Sequence, residues 1–209
     1  MPRVKSSRNS PSKSPAPQGR AGVVRIISGQ WKGRKLPVRD VEGLRPTTDR
    51  VKETIFNWLA PHVRGTRCLD LFAGSGGLGL EALSRYAEQV TLVEMDKGAA
   101  DQLRKNLAAL GSQQGEVIQA DAVSWLQGPA TPFDLVFLDP PFRRELLPRV
   151  CDLLEQHGWL APDALIYLER EKEMADLALP ASWQLLKDKQ AGQVCYQLYV
   201  REISDEAGV

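Results

Sequence analysis

The chain has 209 residues, 43% of them hydrophobic, which suits one α/β domain with a sizeable core and a tail. No apolar run reaches the roughly 18 residues of a membrane-crossing helix, and the N-terminus is polar, without a signal-peptide stretch. The net charge is only +1, yet residues 1–60 hold 13 Lys/Arg against 4 Asp/Glu, so a front of +9 precedes a body of −8. That asymmetry leaves two readings open: a front that meets a polyanion, or a solvated tail.

Residues 1–22 are rich in Ser, Pro, Lys and Arg and cannot bury enough surface to offset chain entropy, which predicts a disordered basic tail. Order is expected from residue 23. A short β-like run at 23–27 and the turn residues Gly29 and Gly33 predict a small hairpin. Val51, Ile55, Trp58 and Leu59 then recur at helical spacing, with Thr48 as a cap and Pro61 as a stop. From residue 66 strands and helices alternate. Strands are predicted at 68–72, 90–94, 117–118, 135–138 and 164–168, and helices at 78–86, around Leu103 to Leu110, at 123–126 and at 145–156. Near-continuous apolar strands separated by helices indicate a parallel sheet covered on both faces. The runs 183–186 and 194–200 flank a polar, Gly-containing segment and predict a terminal hairpin that adds an antiparallel edge. The layout reads as a tail (1–22), an N-terminal hairpin and helix (23–62) and an α/β domain (63–204).

Asp70-Leu71-Phe72-Ala73-Gly74-Ser75-Gly76-Gly77-Leu78-Gly79 follows a predicted strand and opens a helix. Residues 74–79 fit G-x-G-x-x-G, whose glycines allow a tight turn and close approach of the backbone to a ligand. Glu94, 20 residues after Gly74 at the end of the next strand, is placed to accept from ribose hydroxyls. Both NAD and S-adenosylmethionine present such a ribose. Asp70, just before the loop, suits a cationic sulfonium and suits a pyrophosphate poorly. Asp121 has two readings of equal standing: an acceptor for an adenine amino group, or the N-cap of the helix that follows.

Asp139-Pro140-Pro141-Phe142 stands at the C-terminal end of an apolar strand, the edge where open α/β sheets bind ligands. The prolines stiffen the turn. Asp139 and the Pro140 carbonyl can accept hydrogen bonds from an amine, and Phe142 offers a face for a base to stack on. The exocyclic nitrogen of a base is a poor nucleophile because its lone pair is delocalised. Two acceptors aimed at its protons raise its electron density and act selectively on the charge that develops in transfer.

With these residues the chain resembles the Rossmann-like amino-methyltransferases. The segments 25–37 (RIISGQWKGRKLP) and 44–54 (LRPTTDRVKET), with Ala191-Gly192-Gln193 and Tyr196, resemble more closely the RsmD family of bacterial 16S ribosomal RNA guanine-N2 methyltransferases. The resemblance spans about residues 23–202. It implies a mostly parallel seven-stranded sheet with helices on both faces and an antiparallel final hairpin, S-adenosylmethionine as cofactor, and no metal. It implies methyl transfer to N2 of one guanine of the small subunit. By motif position, Asp70, Phe72, Gly74 and Gly76 would line the cofactor, Glu94 its ribose and Asp121 its adenine. Residues 45–50, Thr47 among them, would lie at the methionine end and the active-site mouth, while Asp139, Pro140 and Phe142 would hold the target base.

The basic residues agree with an RNA or small-subunit partner. Arg25, Lys32, Arg34, Lys35, Arg45 and Arg50 surround Trp31 in sequence, and cations with a stacking aromatic suit nucleic acid. Trp31 also reads as a core or hinge residue. The target base must be unpaired or flipped out. The widely spaced Cys68, Cys151 and Cys195 form no CxxC and read as free thiols. His62 and His157 are isolated, and Trp125, Trp159 and Trp183 read as core. The expectation is a monomeric, cytoplasmic enzyme with no membrane attachment. The rival readings are a DNA adenine-N6 methyltransferase, which usually carries a separate recognition domain, and a non-catalytic RNA-binding module, which would have no reason to keep Asp139 and the loop.

Overall fold

The computed structural model describes residues 22–39, 48–141, 146–174 and 177–202. The chain enters through β1 (Gly22–Arg25), which pairs antiparallel with β2 (Lys35–Val38). Helix α1 (Asp49–Leu59) follows, its N-terminus capped by Thr48, whose side chain accepts from the Val51 N–H. Residues 1–21 of the expected tail lie outside the described residues.

The body then alternates as the apolar runs predict: β3 (Arg67–Asp70), α2 (Gly79–Ser84), β4 (Gln89–Glu94), α3 (Lys97–Leu110), β5 (Gly115–Gln119), α4 (Ala122–Leu126), β6 (Phe133–Leu138), α5 (Leu147–Gln156) and β7 (Leu160–Glu171). The last pair is β8 (Trp183–Ala191) and β9 (Val194–Arg201). Across the sheet the order is β5-β4-β3-β6-β7-β9-β8. The first five are parallel, and β9 pairs antiparallel with both β7 and β8. The chain therefore starts in the middle, at β3, winds outward to β5, and returns to the other side at β6. That reversal opens a crevice beyond the C-terminal ends of β3 and β6.

Successive residues of each parallel strand face opposite layers. Cys68, Val90, Leu92, Leu135 and Phe137 pack against α1, α2 and α3, while Leu69, Val93, Val136 and Leu138 pack against α4 and α5. Both faces are thus covered, which explains why these strands read as continuous apolar runs rather than alternating ones.

The last strands depart from the sequence pattern. The polar run 187–191 belongs to β8, and only Gly192 and Gln193 form the turn. β8 is the sheet's edge, and every side chain from Gln184 to Ala191 is exposed. Its register with β9, from Trp183 opposite Arg201 to Ala191 opposite Val194, needs no apolar side chains. A one-residue slip between Leu185 and Lys187 interrupts that register as a bulge.

The N-terminal hairpin shares the sheet's core, with Val24, Ile26 and Leu36 buried in one cluster with Val90 and Leu92. A polar array fixes it to α2. Buried Glu81 accepts from the Ile27 N–H (2.8 Å) and Ser28 N–H (3.0 Å). The Ser84 hydroxyl donates to the Ser28 carbonyl (2.5 Å) and accepts from the Trp31 N–H (3.1 Å). Lys52, fully buried in α1, donates its ammonium to the Arg25 carbonyl and lies 3.7 Å from Asp49. Burial holds its pKa below the ordinary lysine value, with Glu81 and Asp49 opposing that shift.

Candidate active site

Parallel strands end at one edge, so the residues that close β3, β4 and β6 meet there. They line a cavity of about 950 Å³, at the upper end of ligand-site volumes. Asp70, Phe72, Gly74, Glu94, Asp121, Asp139 and Pro140 all lie on its wall. α1 contributes Arg50, Val51, Thr54 and Ile55, and the end of β8, the β8–β9 turn and the start of β9 contribute Lys189 to Val194 with Tyr196 beyond them. Thr47, Arg45 and Phe142 lie outside the described residues.

Glu94 is fixed by two backbone donors. Gly74 N–H gives to Oε2 (2.8 Å) and Asp96 N–H to Oε1 (2.7 Å). The carboxylate thus clasps the two loops that form the cavity floor, and each oxygen keeps a lone pair for a ribose hydroxyl. Asp121 makes the helix cap, its Oδ1 accepting from Ser124 N–H (2.9 Å), and still lines the cavity. The two readings left open from sequence are compatible in this one side chain.

Asp70 is more deeply placed than a ligand contact alone requires. It is fully buried, and its Oδ2 accepts from Gly79 N–H at the start of α2 (2.8 Å). Burial raises its pKa to about 7; the Gly79 hydrogen bond opposes this, and Asp139 and Glu94 add to it. Part of this carboxylate braces the loop.

Gly76 does not line the cavity. At φ +78° a β-carbon there would stand 2.6 Å from Leu103 Cδ2 and 2.9 Å from Leu80 Cδ1. It faces the core, and its glycine serves the turn, while Ser75 and Gly77 reach the wall.

Sequence reasoning missed Met95, Asp96 and Glu169. Met95 is exposed immediately after Glu94, an apolar side chain on the cavity wall where burial does not explain it. Asp96 caps α3 by accepting from Ala99 N–H (2.7 Å) and lines the cavity as well. Glu169 ends the apolar part of β7 and accepts from the Tyr167 hydroxyl (3.1 Å). An acid at a strand's C-terminal end was the available signal for it.

Of the described basic candidates, only Arg50 joins the cavity. Arg25 is exposed, 3.9 Å from Asp49. Lys32 and Lys35 are exposed on the hairpin. Arg34 donates to the Ala109 carbonyl (3.0 Å), at the far end of α3. Trp31 is half-buried against the core. The three cysteines are buried and free, and burial pushes Cys68 and Cys151 up to about 12, so neither is a nucleophile.

The donor set discriminates between ligands. Among the described lining residues six are acidic (Asp70, Glu94, Asp96, Asp121, Asp139 and Glu169), and two, Arg50 and Lys189, are basic. Such a wall repels a pyrophosphate and attracts a sulfonium and an ammonium. Fold and site together define a Rossmann-like S-adenosylmethionine-dependent methyltransferase.

The comparisons agree and narrow the class. A family model described as Conserved hypothetical protein 95 matches residues 24–200. "Ribosomal RNA small subunit methyltransferase D" of Escherichia coli K12 is 57% identical over 187 residues, 90% of this chain and 94% of that one. The protein of the same name from Haemophilus influenzae is 54% identical over 85% of this chain and 94% of its own. The solved structure of the E. coli protein yhhF superposes with a TM-score of 0.82 at 56% identity, over 87% of this chain and 99% of that one. The chain belongs to this family, the RsmD family.

Proposed function

We propose that the chain transfers a methyl group from S-adenosylmethionine to the exocyclic N2 of one guanine in 16S ribosomal RNA of the small subunit, as a monomer in the cytoplasm. The observation that carries the chemistry is that Asp139 and Pro140, at the end of β6, share one cavity with Gly74 and Glu94. The small-subunit RNA substrate is supported by the names of the relatives, and the N2 position by the motif resemblance.

Asp139 and the Pro140 carbonyl accept from the two protons of the amine. That draws electron density onto nitrogen and turns its lone pair out of the ring plane. Bound S-adenosylmethionine supplies a methyl group on a sulfonium, open to in-line displacement. Glu94 and the Gly74 loop fix the donor, and the strand end fixes the acceptor, so much of the rate comes from holding the two in register. As the N–C bond forms and the C–S bond breaks, the amine acquires positive charge. Asp139 stabilises that charge where it develops and is placed to accept the proton that leaves.

The test is to incubate the protein with labelled S-adenosylmethionine and unmodified small subunits, digest the RNA with nuclease and map the label by mass spectrometry. A single N2-methylguanine in 16S RNA is expected. Label in DNA adenine, or in no nucleic acid, would overturn the proposal.

A further inference from the structure

We propose that Lys189 and Arg50 form a phosphate clamp at the mouth of the cavity, which holds the RNA backbone beside the nucleotide whose base enters. The inference rests on the RNA-methylating reading above and names two residues that bring the substrate in.

The cavity wall and the RNA backbone conflict in charge. The wall that suits a sulfonium carries six carboxylates, whereas an RNA strand brings one negative charge per nucleotide. A guanine is neutral and can enter. Its flanking phosphates are repelled from the same space and must be held outside it. The two cations of the described lining meet this need, and the hydrogen bonds place them together. Lys189 Nζ donates to Thr54 Oγ1 (3.3 Å), and that hydroxyl donates to the Arg50 carbonyl one turn back along α1 (3.1 Å). Lys189 therefore stands against α1 at Thr54, one turn from the Arg50 backbone, and both residues line the cavity. Both side chains are exposed, so a phosphate reaches them without the cost of desolvating a buried charge.

The two cations come from different elements that meet at the cavity. Arg50 sits on α1, which follows the N-terminal hairpin. Lys189 sits on the edge strand β8, opposite Tyr196 of β9. The β8–β9 turn is tied back to the sheet by the Lys172 N–H, which donates to the Gln193 carbonyl (2.8 Å). A strand lying across this α1–β8 contact would place its phosphates on the rim and one base inside. Arginine offers a planar fork to a phosphate and lysine a compact point charge.

The experiment compares wild type with Lys189→Gln, Arg50→Gln, Lys189→Arg and Thr54→Val. Methyl transfer to unmodified small subunits is measured over a salt series, and S-adenosylmethionine binding by calorimetry. Lys189→Gln should raise the subunit KM by roughly tenfold and lower the log–log salt slope by about one, with kcat and cofactor affinity held. The double Gln variant should lower the slope by about two. Lys189→Arg should restore it, and Thr54→Val, which keeps both charges, should leave the slope in place. An unchanged slope in Lys189→Gln, with wild type active on RNA, overturns the clamp alone, as does a cofactor affinity that falls in step with KM. Wild type that labels no RNA would remove the functional reading itself and the clamp with it.

Discussion

Asp70 is held where an ionised carboxylate is disfavoured, and this gives a sharp pH signature. Its folded-state pKa is about 7, raised first by burial, against an ordinary value of 3.8. Between roughly pH 4 and pH 7 the folded protein keeps a proton that the unfolded chain has lost, so this group's contribution to stability falls as pH rises through that window. Asp70→Asn has no such proton to lose, and its amide oxygen can still accept from Gly79 N–H. Calorimetry of the ligand-free protein from pH 4.5 to 8 should show a wild-type Tm that declines more steeply than the variant's. Parallel curves would mean that Asp70 stays ionised in the fold. Asp139 carries a different burden, because its oxygens are proposed to act on the amine. Asp139→Ala should lower kcat on small subunits by at least a hundredfold, within the range for lost transition-state acceptors, and leave cofactor affinity within a few-fold. Substantial turnover in that variant, measured by methyl incorporation, would move the chemistry elsewhere on the wall.

At the scale of elements, the sequence shows what repeats locally and hides what meets at a distance. Four of the five parallel strands were legible because each carries a buried apolar run, and β5, at the sheet's edge, from the half-buried pair Val117 and Ile118. The place of Glu94 and Asp139 on the cavity wall was legible because it is set by position at a strand end. The terminal hairpin was legible from its apolar runs, but the extension of β8 over 187–191 was not, since exposed edge residues have no burial pattern to read. The role of Gly76 was not, because its contacts, Leu103 and Leu80, come from α3 and α2 and not from a ligand. Nor was the docking of the hairpin on α2, whose partners lie 53 to 56 residues apart and are polar. Two glycines test that docking. Gly29 and Gly33 have nearly equal φ, +83° and +84°. A β-carbon at Gly33 meets nothing within 4 Å, whereas at Gly29 it would lie 1.8 Å from the Ser84 carbonyl oxygen. Gly33→Ala should therefore cost only the left-handed backbone preference, about 1–2 kcal/mol. Gly29→Ala should also lift the hairpin off α2 and cost at least about 3 kcal/mol, or roughly 6–12 °C in Tm. Equal Tm losses in the two variants, measured by scanning calorimetry, would show that the hairpin is not held there.

On the scale of the whole molecule, the position of the hairpin decides how far the RNA footprint must extend. α2 and α3 both start at the cavity edge of the sheet and run to the opposite edge, where the Tyr86 carbonyl accepts from Gly65 N–H just before β3 begins. The hairpin turn sits at those far ends: Gln30 N–H donates to the Ser84 carbonyl (2.8 Å) and Arg34 reaches Ala109. α3 has 14 residues and so spans about 21 Å, the depth of the sheet between the hairpin turn, which carries Lys32, and the cavity edge. The described cations of the first 60 residues are thus divided in space. Arg50 stands at the mouth, while Lys32 and Lys35 lie down the hairpin face. An RNA fragment long enough only to present its guanine cannot reach the hairpin's cations, whereas a folded small subunit presents a surface broad enough to cover both. Lys32→Gln with Lys35→Gln should therefore weaken binding to small subunits and lower the salt slope by about two. The same pair should leave methyl transfer to a short stem-loop RNA unaltered. Arg34 is better spared in this test, because its guanidinium also satisfies a carbonyl at the end of α3 and its loss would mix stability with binding. Equal losses on both substrates would mean that the RNA bends back around the hairpin. No loss on either would assign the front's charge to solvation and leave RNA capture to the rim of the cavity.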